Sequence, residues 1–249
     1  MKFAFLKGFS LQKAIQLLVY RASRLFCLGI AKVVFRMRVE GREFVPQVGP
    51  AILAANHVSF IDPIIVGVAV SRLVHYMAKE ELFRFRPFGW LLRQYQVFPV
   101  KRRRADLQAM KRAILLLEQG EVVVIFPEGT RGDGIHLRPA KPGIGLIAAR
   151  TGAPVIPILH RGTEKVLPRG ARFPRPYRIT VTFGPPLWFA EAQAGESEME
   201  IVAFSQTIME RIAALNARSE GGAGVAGDRA HVTGDAMPTE TRGAKEQSG

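Results

Sequence analysis

Apolar residues fall in two kinds of block along this chain. Residues 51–55 and 122–126 are uninterrupted apolar runs bounded by Pro or polar residues, which predicts strands covered on both faces. Further strands are expected at 33–39, 74–78, 97–100, 155–158 and 178–183. Helical spacing predicts helices over 105–119, closed by Gly120, and over 145–151. A last helix is expected over 198–217, with Ile201, Phe204, Ile208 and Ile212 as its stripe. Alternating strand and helix argue for one α/β domain over residues 34–217, with a mixed, largely parallel sheet flanked by helices.

Residues 11–32 form a different pattern. Ile15, Leu18, Val19, Ala22, Phe26 and Ile30 share one helical face, and Lys13, Arg21, Arg24 and Lys32 lie within an arc of about 100° on the other side. This is the signature of a helix lying in a membrane interface, so residues 1–33 are expected to be an amphipathic membrane-association segment. The alternative, a helix packed on its own domain, stays open. Charges interrupt the segment too often for a span, and no small-residue cleavage site follows an apolar core as in a signal peptide. Residues 218–249 are rich in Gly, Ala, Thr and charge without periodicity and are expected to be a disordered tail.

A chain of 249 residues suits one sizeable α/β domain. The single cysteine, Cys27, excludes an internal disulfide and a thiolate-rich metal site, and the histidines show no ligand spacing. The net charge is +14. Residues 1–39 hold eight Lys/Arg and no acid, and residues 79–112 hold ten against three acids. No stacking aromatics or nucleic-acid module surround these runs, so nucleic acid is not expected as a partner. An anionic membrane surface or a phosphorylated substrate fits better.

The candidate chemistry sits in two loops that follow the apolar runs. Asn56-His57-Val58-Ser59-Phe60-Ile61-Asp62-Pro63 places an imidazole and a carboxylate with four residues between them. Pro63 suits the first turn of a helix, so Asp62 is expected as its N-cap, with His57 on the preceding loop. A turn can fold the carboxylate onto the imidazole and so make His57 a general base oriented by Asp62. A loop histidine with a capping aspartate is the plainer alternative. The second loop, Phe126-Pro127-Glu128-Gly129-Thr130-Arg131, brings charge and a glycine to the end of another strand.

Together these motifs resemble the glycerolipid acyltransferase superfamily, and most closely its bacterial 1-acylglycerol-3-phosphate (lysophosphatidic acid) acyltransferases. Phe98-Pro99-Val100-Lys101-Arg102 resembles a second family block, whose opening glycine is replaced by Gln96, and Val155-Ile156-Pro157-Ile158 resembles a fourth. The resemblance spans roughly residues 34–185. It implies transfer of a fatty acyl group from acyl-CoA or acyl carrier protein to the sn-2 hydroxyl of 1-acylglycerol 3-phosphate, giving phosphatidic acid in phospholipid biosynthesis. It also implies a place at the cytoplasmic face of a bacterial inner membrane. His57 and Asp62 would be catalytic, and Arg102, Glu128, Gly129, Thr130 and Arg131 would bind substrate.

Arg102 and Arg131 suit a phosphomonoester, and Glu128 either the glycerol or Arg131 itself. Asn56, Ser59 and Lys141 are supporting candidates. No serine or cysteine is placed as a nucleophile, so direct attack by the substrate hydroxyl is expected, with no cofactor beyond the thioester co-substrate and no metal. Another acceptor (glycerol 3-phosphate, another lysophospholipid or a lyso-aminoacyl lipid) and a non-catalytic anionic-lipid binder remain alternatives.

Overall fold

Strand β2 (Ala51–Ala55) is buried along its whole length, as its unbroken apolar run predicts. A computed structural model describes residues 11–84, 86–100, 107–133, 136–189 and 197–221 of the chain. Seven strands form one sheet: β1 (Arg38–Glu40), β2, β3 (Val74–Lys79), β4 (Val97–Val100), β5 (Val122–Ile125), β6 (Val155–Arg161) and β7 (Thr180–Phe183). Their order is β1-β7-β6-β2-β5-β3-β4. Strands β2 to β6 are mutually parallel, β7 runs antiparallel to β6, and β1 is parallel to β7. The chain is thus a single α/β domain with a mixed, mostly parallel sheet.

Helices cover both faces. On one face α1 (Leu11–Val33) and α2 (Asp62–Ala69) bury Ala31, Ile65, Val66 and Ala69 against Leu53, Val124 and Ile156. On the other, α4 (Leu107–Glu118), α5 (Gly143–Thr151) and α7 (Glu198–Gly221) bury Leu117, Ile147, Ile208 and Ile212 against Ile52, Val123 and Val155. Each strand side chain goes to alternate faces, so a strand with both faces helix-covered must be apolar throughout. Two helices complete the fold, α3 (Arg86–Gln94) and the short α6 (Thr163–Val166).

Three expectations are corrected. The strand expected over 33–39 is only β1, because α1 runs to Val33 and a turn, with the Met37 N–H donated to Ala31 O, carries Phe35 and Met37 into the core. Helix α3 was not among the expected elements; Pro87 is its second residue, where no N–H partner is lost. The basic face of α1 is also divided. Arg21 and Lys32 are exposed, whereas Arg24 lies against α2 and donates to the carbonyls of Gly67 (3.1 Å), Val68 (3.5 Å) and Val70. A guanidinium there satisfies carbonyls left free at a helix end and opposes the helix dipole.

The apolar face of α1 is divided as well. Leu18, Phe26 and Val33 on it are 68%, 69% and 79% exposed, and Ile30 is half-buried against the core. The buried Tyr20 and Ala31 lie on the opposite side of the helix, beside Arg24. No helix among the described residues is long and apolar enough to cross a membrane. The tail expected from residue 218 lies outside the described residues beyond Gly221.

Candidate active site

Strands β2 and β5 pair in parallel, with Ala54 opposite Ile125, so both chains leave the carboxyl edge of the sheet as neighbours. That pairing brings two sequence-distant loops into one site. In the first, His57 Nδ1 lies 2.9 Å from Asp62 Oδ2. The same oxygen accepts the N–H groups of Val58 and Ser59, each at 2.7 Å.

Asp62 is therefore not the expected N-cap. It is the first residue of α2, and its carboxylate turns back into the loop. Forward capping offers little: Pro63 has no N–H, and the Ile65 N–H is already donated to Ile61 O. Asp62 is fully buried, and burial pushes its carboxyl up. The His57 hydrogen bond, the charges of His160 and His57 and the Ser59 N–H outweigh that, and its pKa falls below the ordinary carboxylate value. With Nδ1–H donated to the carboxylate, His57 Nε2 carries the lone pair. The ring stacks on Phe126 at 4.3 Å between centroids, which fixes its plane.

The second loop holds the first by its backbone. Glu128 Oε1 accepts the His57 N–H at 2.9 Å, and Gly132 N–H donates to His57 O at 2.7 Å. Glu128 Oε2 accepts the Arg138 N–H at 3.3 Å. Glu128 is buried, and burial raises its pKa despite these donors. Glu128, expected to hold either the glycerol or Arg131, engages its two carboxylate oxygens with the main-chain N–H groups of His57 and Arg138, the donors a buried carboxylate needs.

Arg131 is exposed, with its guanidinium 5.9 Å from the Phe60 ring centre. Gly129 has φ 68, and a Cβ there would sit 2.8 Å from Lys141 Cε and 3.0 Å from its Nζ. Lys141 also donates its backbone N–H to Pro127 O at 2.9 Å, so its ammonium stem is laid across the loop. Thr130 Oγ1 donates to Arg131 O at 3.4 Å.

The supporting residues tie the site to the sheet. Asn56 Oδ1 accepts the His160 N–H at 2.7 Å and its Nδ2 donates to His160 O at 3.1 Å, while Ser59 Oγ donates to Leu167 O at 3.1 Å. Sequence reasoning treated His160 as one of several scattered histidines. It is buried at the end of β6, close enough for Asp62 to act on it electrostatically, and burial lowers its pKa. Its place in β6, directly after an apolar run, was the available signal. Gly132 carried none. Arg102 lies outside the described residues. Gln96, which precedes β4, adopts φ 57, so the turn there keeps the left-handed backbone that glycine favours.

Residues 36–161 match the acyltransferase family. The chain belongs to that family. It is 31% identical to the 1-acyl-sn-glycerol-3-phosphate acyltransferase of Bacillus subtilis over 195 residues, 76% of this chain and 95% of that one. It is 34% identical over 140 residues to the chloroplastic enzyme BAT2 of Brassica napus, covering 55% of this chain and 40% of that one. In structure it is similar to the 1-acyl-sn-glycerophosphate acyltransferase PlsC of Thermotoga maritima, with a TM-score of 0.67, 26% identity and 85% of each chain covered. This acyltransferase is therefore an enzyme of the lysophosphatidate acyltransferase type, and its His57 and Glu128 loops both lie within the matched region.

Proposed function

We propose that this acyltransferase moves a fatty acyl group from an acyl thioester, acyl-CoA or acyl carrier protein, to the sn-2 hydroxyl of 1-acylglycerol 3-phosphate, giving phosphatidic acid. The observation that carries the reading is the 2.9 Å contact of His57 Nδ1 with Asp62, which leaves Nε2 as a base. The loop tied to His57 through Glu128 carries the exposed Arg131 and is crossed by the exposed Lys141. His57 Nε2 takes the proton of the acceptor hydroxyl as its oxygen attacks the thioester carbonyl carbon. The tetrahedral intermediate collapses by breaking the carbon–sulfur bond, and the imidazolium returns the proton to the departing thiolate. Asp62 stabilises the imidazolium between the two transfers.

Arg131 is assigned to the acceptor phosphate, with Lys141 adding positive potential across Gly129. Arg102 is assigned to the same phosphate. The exposed Leu18, Phe26 and Val33 of α1, with Arg21 and Lys32, suit an anchor in the anionic interface where the acceptor resides. We assign the enzyme to the cytoplasmic face of a bacterial inner membrane. The test is an acyl-transfer assay with purified protein, both donors and a panel of acceptors. Phosphatidic acid is expected as the main product. Transfer to zwitterionic lysolipids with none to lysophosphatidate would overturn the acceptor assignment.

A further inference from the structure

A third basic stretch escapes whole-chain charge sums. Residues 165–178 hold Lys165, Arg169, Arg172, Arg175 and Arg178 and no acid. After α6 this stretch is irregular, and every residue from 172 to 178 is exposed. Lys165 donates to Tyr177 Oη at 3.0 Å, and the four arginines form no ion pair with a carboxylate among the described residues. In their midst Phe173 is 80% exposed. An unpaired row of guanidiniums around a bare aromatic ring leaves both charge and apolar area uncompensated.

The position of this loop gives it a direction. It leaves β6 at the carboxyl edge of the sheet, the edge that carries His57. Leu167 O accepts Ser59 Oγ, and Arg175 N–H donates to Val166 O at 2.7 Å, so the loop is fastened to the catalytic turn. At its far end Ile179 N–H donates to Phe35 O at 3.0 Å, next to the exposed Val33 and Val34 that close α1.

We propose that residues 169–178 are a second membrane-binding element, in which Arg169, Arg172, Arg175 and Arg178 contact anionic phospholipid headgroups and Phe173 inserts at the interface, turning the His57 edge of the sheet toward the bilayer. The inference rests on the reading of this enzyme as one that acts on membrane lipid, and it deepens that reading. The charge is complementary to an anionic leaflet, and the exposed ring adds apolar area that such an interface buries. Continuity with α1 extends one surface from helix to loop. An acidic carrier protein would answer the charge but leaves Phe173 without a role.

Flotation of full-length protein with vesicles of equal parts phosphatidylglycerol and phosphatidylcholine tests this. The double variant Arg172→Glu/Arg175→Glu is expected to bind at least about 25-fold more weakly at low salt, at about fivefold per basic residue neutralised. The deficit shrinks as salt rises. Phe173→Ser is expected to bind about tenfold more weakly. Turnover of detergent-dispersed acceptor with acyl-CoA stays unchanged in both variants.

Vesicle binding equal to wild type in both variants overturns the proposal. So does intact vesicle binding with turnover lowered only for the acyl carrier protein thioester, which would make the loop a carrier-docking surface. Failure of the wild type to acylate lysophosphatidate strikes the acceptor assignment instead and leaves the flotation result readable.

Discussion

Glu128 accepts the backbone N–H of His57 at 2.9 Å, across 71 residues of chain. The two motif-bearing loops are therefore one mechanical unit. Glu128 positions the backbone that carries the base, and its second oxygen does the same for Arg138.

Replacing Glu128 by Gln keeps the shape but sets an amide NH₂ against one of two backbone donors. Leaving a buried donor unsatisfied costs about 1–3 kcal/mol. Urea denaturation should show that loss, and kcat should fall because His57 shifts, while KM for the acceptor moves little. Unchanged stability and turnover would remove Glu128 from the clamp.

His57→Ala should lower kcat by about 10²–10⁴ with the fold retained, the usual range for a general base. Asp62→Asn should be severely impaired too, because an amide lets His57 adopt the wrong tautomer and leaves the imidazolium uncompensated. Steady-state kinetics on variants with native circular dichroism check both. Near-wild-type turnover in His57→Ala would sink the mechanism.

Acid stability should carry the Asp62 signature. Its folded pKa is depressed, so its stabilising contribution is complete above the unfolded value and is lost as pH falls through the folded one. The stability gap between wild type and Asp62→Asn, measured by urea denaturation across pH, should be flat above about pH 5 and shrink below about pH 4. A gap that grows on acidification would reverse the assigned direction.

Arg131→Ala should raise KM for lysophosphatidate about 10- to 150-fold, the equivalent of about 1.5–3 kcal/mol for a charge-assisted contact. KM for the acyl donor should hardly change. Lysine at 131 should restore only part of the loss, since an ammonium lacks the guanidinium fork. Equal rises in both Michaelis constants would move Arg131 away from the acceptor phosphate.

Arg24 and Arg21 should separate in a thermal melt. Arg24→Ala removes charge-assisted donors to the last carbonyls of α2 and should cost about 1.5–3 kcal/mol. Arg21→Ala, at an exposed position, should stay within about 0.5 kcal/mol of wild type. Equal melting temperatures would mean that Arg24 contributes nothing to docking α1.

The sequence by itself determined the strands buried on both faces, because a run such as Ala51–Ala55 has no polar position to give to solvent. It also determined which two loops carry the chemistry and the spacing that lets Asp62 reach His57, since that contact is local, within one turn. Gln96 stands where the resembling family has glycine, and its φ of 57 shows the backbone demand outlasting the residue that best meets it.

Tertiary structure decided what no local pattern holds. Sheet order made β2 and β5 neighbours, and only that adjacency gives Glu128 the His57 N–H and lays Lys141 across Gly129. Helical spacing could sort α1 into an apolar and a basic face. Which side docks depends on where α2 ends, and that placed Arg24 on its free carbonyls with Tyr20 and Ala31 buried beside it, while leaving Phe26 and Val33 bare. Periodicity fixes which side chains share a face, but the partner of a face is set by contacts between residues far apart in the chain.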